Sequence, residues 1–244
     1  MLVVFLILFA GVLRAQEDVV NFVLPTIQKP HVDTTFEWRP AIEQSMRMLM
    51  VQHAFRVAAQ PKTRRELGGS FFGDYFQSVS SVGGWRDGDN LAVNYINHPL
   101  QGAVSGYVYL QNDPKARAVE FGATRDYWTS RLKALAWSAG YSAQFELGPL
   151  SEASIGNVGH KKGTAGYVDF VMTPTGGFAW IIAEDWIDKK FIQRWEESTD
   201  SLTKRSLIRM AMNPSRTLAN LLRGKHPWHR DGRALMYSPK AIYQ

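Results

Sequence analysis

The chain has no cysteine among its 244 residues, which excludes a disulfide-stapled scaffold and any thiolate chemistry. Strand-type alternation is almost absent, so a sheet-built fold is not expected. Beyond its first segment the chain offers no run of about 18 apolar residues, and its mean hydropathy of −0.22 argues against an ordinary polytopic protein. The nucleophile-elbow G-x-S-x-G, the H-E-x-x-H helix, the P-loop and the dinucleotide fingerprint are all missing. So are zinc-finger and RNP patterns, and nucleic acid is not an expected partner despite the net charge of +6. No Pro/Ser/Gly linker or internal repeat divides the chain, and its length suffices for one domain with its own core.

What is present begins with a continuous apolar run from Leu2 to Leu13, the length of a secretory core segment, followed by Ala15 and the polar Gln16-Glu17-Asp18. No Lys or Arg precedes the run, and Leu13 stands where a cleavage site favours a small residue. The reading is a signal peptide over 1–15 and an extended leader over 16–35. A helical domain over 36–224 and a basic C-terminal tail over 225–244 follow. From Lys189 onward there are 12 Lys or Arg against 4 Asp or Glu, so the positive charge lies at this end. On an exported protein such a segment fits anionic lipid or another envelope protein, and equally a solvated surface.

The periodicity is helical throughout. A helix is expected from Pro40 to just before Pro61, with Ile42, Met46, Leu49, His53 and Val57 along its buried face. Ser70 is placed to cap a short aromatic helix, and Gly83 to Asp89 reads as a turn. Pro99 either kinks a helix starting near Asn90 or begins a new one. Gly102 and Gly106 fall four apart and permit a close helix contact. Thr124 to Phe145 reads as a helix facing inward with Trp128, Leu132, Leu135 and Ala139. Ser151 to Gly163 reads as a loop. Pro174 is expected to break a helix begun at Tyr167, and Phe178 to Phe191 to resume it. Two tail helices, 201–212 and 213–223, complete a mostly α fold: a single compact helical bundle with small-residue contacts.

Isolated polar residues set among apolar and glycine-rich helices mark the candidate site, because a buried charge without a partner costs several kcal/mol, roughly. Asp169 and Thr173 share a helix face ahead of Pro174-Thr175-Gly176-Gly177. His98 lies in Asn94-Tyr95-Ile96-Asn97-His98-Pro99 and titrates naturally near neutrality. Glu146 ends an apolar helix, where the dipole disfavours a carboxylate, so a partner such as His98 or Arg131 is expected. His98, Glu146 and Asp169 are therefore the candidate catalytic residues, with Asn94, Asn97, Thr173 and Glu184 as binding residues. Glu184 is four residues before Asp188, a like-charge spacing suited to a cation, while Asp185 and Lys189 fit a surface ion pair. His226, His229 and Asp231 offer a weak metal pattern in a basic tail, and no metal site, cofactor or small-molecule ligand is expected.

These residues carry a resemblance. Asn97-His98-Pro99 to Gly102, then Glu146, then Ser154-Ile155, then Asp169 to Gly177 are similar to the blocks of an uncharacterised group of exported bacterial envelope proteins. The resemblance covers residues 90–190 and implies an envelope location without an assigned activity. The order of acid, Ser-Ile loop, Asp and Gly also resembles VanZ-like membrane proteins. The helices here are more polar, and Thr173-Pro174 stands where those proteins have Asn.

Three readings follow. One is a non-enzymatic, membrane-associated envelope protein whose His98, Glu146 and Asp169 form a structural lock. The second is an envelope hydrolase or lipid-modifying enzyme with His98 as base, oriented by Asp169 or Glu146. The third is a ligand-binding module with an apolar pocket lined by Trp137, Tyr141 and Trp180.

Overall fold

The computed structural model describes residues 35–67, 70–155 and 166–235. The expected signal peptide, the leader up to residue 34, most of the 151–163 loop and the last residues of the tail lie outside them. The described residues form helices and no strand. In chain order these are α1 (Trp38–Ala59), α2 (Pro61–Glu66), α3 (Phe71–Ser80), α4 (His98–Asn112), α5 (Pro114–Arg117) and α6 (Arg125–Leu147). Then come α7 (Glu152–Ile155), α8 (Val168–Ile187), α9 (Gln193–Glu197), α10 (Leu202–Met212) and α11 (Pro214–Leu222). The mostly α bundle expected from periodicity is the fold.

Three helices form its centre: α4, α6 and α8. Their approach is set by small residues. A Cβ added at Gly102 would collide with the Thr173 carbonyl oxygen of α8, and one at Gly177 would lie 2.5 Å from the Gly102 carbonyl carbon. One turn along α4, a Cβ at Gly106 would sit 2.5 Å from Ile181 Cδ1. Backbone therefore packs on backbone at the α4–α8 crossing, the close contact that the glycine spacing permits.

The second alternative for Pro99 is the one observed: α4 starts at His98 with Asn97 at the cap position and Pro99 in its first turn, directly after a π-helical turn over Val93–Asn97. In that wider register the His98 amide bonds the Val93 carbonyl, and Pro99, which has no amide proton, falls at the first positions of α4. Pro174 does not break α8, which runs unbroken from Val168 to Ile187. Its packing against α4 outweighs a position where propensity alone predicts a stop.

The buried faces also differ from the expected ones. On α1 the inward residues are Ala41, Gln44, Met48, Leu49, His53 and Arg56, whereas Ile42 and Met46 are exposed. On α6, Trp128 and Leu132 face outward, and the inner face carries Ser130, Ser138 and Ser142 with Ala134. Close helix contacts select small residues, and these are serines as often as alanines. Bulky apolar groups are displaced to the outside, where Trp38, Ile42, Met46 and Met50 form one ridge at four-residue spacing, 38–67% exposed. No described helix is long and apolar enough to cross a membrane.

The two kinds of glycine give opposite expectations. Gly102→Ala should lower unfolding free energy by about 3 kcal/mol or more, since backbone rather than a flexible side chain must move. Gly140→Ala, in mid-α6 with open space around it, should raise stability by about 0.5–1 kcal/mol. Denaturant melts of the two variants against the parent protein test this.

Candidate functional site

Each of the three central helices delivers one group to the same point. α4 begins with His98, α6 ends with Glu146, and α8 carries Asp169 in its first turn. One ligating atom from each lies within 4.8 Å of the other two, and all three residues are buried. His98 Nε2 is 3.2 Å from Asp169 Oδ1. On the other side of the ring, His98 Nδ1 is 3.2 Å from Thr173 Oγ1, with the hydroxyl fully buried. If Nδ1 carries the proton toward that hydroxyl, the Nε2 lone pair faces the two acids. The Ser142 hydroxyl ties α6 to α8 here by donating to the Asp169 carbonyl at 3.2 Å.

Residues read in the sequence as a mere turn complete the site. Asp87 is half-buried at its edge, held by Asn94 Nδ2 at 2.9 Å and hydrogen-bonded to the Asp169 side chain. On the far side of Glu146, the buried Arg56 of α1 pairs with Glu152 of α7 at 3.0 Å. Among the described residues, Arg56 is the cation set against these acids, and it is already engaged by Glu152.

The protonation states follow from this crowding. Burial pushes the Asp169 carboxyl up to about 9, aided by the hydrogen bond with Asp87 and the charges of Asp87, Glu152 and Asp89. Burial also lifts Glu146 well above the usual carboxylate range; Glu152 and Asp169 add to the shift and Arg56 opposes it. Burial lowers the His98 imidazole to about 4 against the opposing charge of Asp87. Asp87 itself is driven up by burial, but the hydrogen bonds from Asp169, Asn94 and the Asp89 amide outweigh that and hold it below its ordinary value. At neutrality the imidazole is neutral, Asp169 keeps its proton and Asp87 is ionised, while Glu146 is shifted toward its protonated form. Even so, Glu146 Oε1 and Asp169 Oδ1 are buried without a hydrogen-bond donor.

Several expected roles are corrected. Arg131 does not serve Glu146; its guanidinium holds Asp185 at 2.8 Å. Asn97 is exposed and outside the cluster, while Asn94 and Thr173 support it. Glu184 lies 15 residues along α8 from Asp169, about 22 Å of helix rise, and belongs to a different cluster. It accepts the Ser215 amide at 2.9 Å and the Arg216 amide at 3.3 Å, capping α11 where Asn213 supplies no side-chain cap. Asp188 answers Arg216, Arg230 and Arg233, so the like-charge spacing marks no cation site. Asp185 is a buried hub rather than a surface partner of Lys189, which pairs with Glu120. Its oxygens take Tyr107, Tyr127, Arg131 and Arg216. A cavity of 330 Å³ opens beside this hub. Asp231 pairs with both His229 and Arg223. Of the three residues read as a pocket lining, Tyr141 bonds Gln52, Trp180 bonds Glu184, and Trp137 stacks among Phe36, Trp38 and Tyr109.

Two outcomes separate the two ends of α8. At the satisfied end, Asp185→Asn strands Arg131 and Arg216 and should cost about 3–5 kcal/mol. At the His98 end, acids with raised folded values make stability fall as pH rises above the ordinary carboxylate range. The lowered imidazole works in the opposite sense, but only between about 4 and 6.5. In chelator-containing buffer, stability should therefore fall from about pH 6.5 to about 9, and Asp169→Asn should flatten that fall by about 2 kcal/mol. Denaturant melts across that range give the slope.

No protein-family model, curated protein or solved structure matches the chain. The chemistry of the site is argued from its own residues.

Proposed function

We propose that the chain is an exported helical protein of the bacterial cell envelope, seated at a membrane surface, whose working centre for hydrolytic chemistry is His98, Glu146 and Asp169. The observation that carries this is the pair of buried oxygens, Glu146 Oε1 and Asp169 Oδ1, which no donor meets. A structural lock satisfies its atoms, and this protein contains one for comparison: both Asp185 oxygens are fully engaged. A buried acid oxygen left without a donor is a cost that folding alone does not explain, and such costs concentrate where a protein acts. The imidazole, unprotonated and held through Nδ1, has a lone pair available to take a proton from water or to bind an electrophile. The π-helical turn leading into His98 is a further support, since such turns recur at functional sites.

The envelope and membrane parts rest on different support. The N-terminal apolar run and the family resemblance favour export. The exposed ridge of α1, with Phe71, Phe72 and Phe76 on α3, favours an apolar neighbour. The basic end favours anionic lipid less than its composition implies, because Arg209, Arg230 and Arg233 bind Glu196 and Asp188 internally.

Glu146→Gln discriminates the functional reading from a lock. At about pH 8 in chelator it should leave the melting temperature unchanged or raise it by a few degrees, roughly, because an amide brings its own donor and no charge. It should also lower hydrolysis of activated carboxylic or phosphate esters by about 100-fold or more. A drop in stability as large as that of Asp185→Asn, with no hydrolysis by the parent protein, contradicts the reading.

A further inference from the structure

We propose that His98, Glu146 and Asp169 bind one divalent transition-metal ion, each through a single atom. This rests on the functional reading above and names the cofactor of that centre.

The donor set has the composition and placement the proposal needs. One imidazole nitrogen and two carboxylate oxygens converge from three helices within 4.8 Å of one another, and the His98–Asp169 pair is already at 3.2 Å. Metal–ligand bonds of about 2.0–2.2 Å place ligand atoms about 3–4 Å apart, so a pair at the 4.8 Å limit must close by about 1–2 Å. His98 and both acids are 6–8% exposed, and the Glu146 and Asp169 oxygens that lack donors are the atoms an ion would take. Burial without a donor is unfavourable for a carboxylate oxygen unless a cation supplies the missing interaction.

Two surrounding features fit a metal better than a loose acid cluster. Thr173 at His98 Nδ1 is the outer-shell contact that fixes the orientation of a ligating imidazole. Asp87, bonded to Asp169 and to Asn94, plays the same part for a ligating carboxylate. The local charge also fits. Among the described residues, the cation that acts on Glu146 is Arg56, whose guanidinium is paired with Glu152 at 3.0 Å. A dication answers the acids that Arg56 leaves. A mixed nitrogen and oxygen set selects zinc, manganese, iron or cobalt over calcium or magnesium, which prefer oxygen alone. The ion would supply a Lewis acid for the hydrolytic step.

The test uses the full chain stripped with a chelator and titrated with Zn2+ by calorimetry and with Co2+ by absorption spectroscopy. One ion per chain is expected, with a dissociation constant below about 1 μM and a melting temperature that rises with added ion. Glu146→Gln and Asp169→Asn should each weaken binding by at least about 100-fold, and His98→Ala should remove the nitrogen-ligated Co2+ spectrum. His229→Ala, at the surface His229–Asp231 pair, should change nothing. Binding that is equal in the parent and in both acid variants overturns the proposal, as does no saturable uptake by the parent. Parent protein that takes up no ion while Glu146→Gln is still tolerated defeats the metal and leaves the functional reading standing. Uptake in a protein that Glu146→Gln destabilises as Asp185→Asn does establishes the ion and defeats the hydrolytic reading instead.

Discussion

Acidic groups gathered out of water where three helices meet are the constraint around which this molecule is arranged. Asp87, Glu146, Glu152 and Asp169 meet where α4, α6 and α8 converge, and among the described residues Arg56 is the cation placed against them. Water screens little of this, because the central residues are buried. The protein can relieve this crowding by keeping protons on acids or by admitting a cation. In either case the site is defined by what the chain has left undone, and the neutral imidazole of His98 is its natural counterpart.

The geometry that brings these groups together depends on backbone contact between α4 and α8. Gly102 and Gly177 let the helices touch, and the touch aligns the start of α4 with the first turn of α8. A larger residue at either glycine would separate His98 from Asp169 before it altered any side chain of the site. The same helix then ends in a contrasting cluster. There Asp185, Glu184 and Asp188 are matched by Arg131, Arg216, Arg230 and by the amides that begin α11. One end of α8 carries an acid whose oxygens are met and the other an acid with an unmet oxygen, about 24 Å apart along a single helix.

Much of this was legible in the sequence. Carboxylates and a histidine standing in glycine-rich apolar helices pointed to a buried cluster, and three of them, His98, Glu146 and Asp169, do converge. Asn94 and Thr173 fell beside them for the same reason. Asp87 stayed hidden because a Gly/Asp-rich turn has the same composition whether it faces water or folds over a site. Arg131 and Glu184 were misplaced because spacing along one helix reports who shares a face, not which helix lies opposite. The buried faces of α1 and α6 were mistaken because hydrophobicity was taken to point inward. Here the closest helix contacts take Ala, Gly and Ser, with Leu49, Tyr107, Phe145 and Ile181 in the core around them, while Ile42, Met46, Trp128 and Leu132 are left outside. Pro174 misled in the same way, since local propensity was outweighed by packing.

The protonation of the cluster is the most direct check on this account. Carbon-13 NMR of protein labelled at the Asp and Glu carboxyls, titrated in chelator, reports each acid separately. Asp169 is expected to keep its proton at neutral pH and release it only near 9, and Glu146 to titrate well above the ordinary carboxylate range. Ordinary carboxylate titration of both residues, complete by about pH 5, would contradict this account.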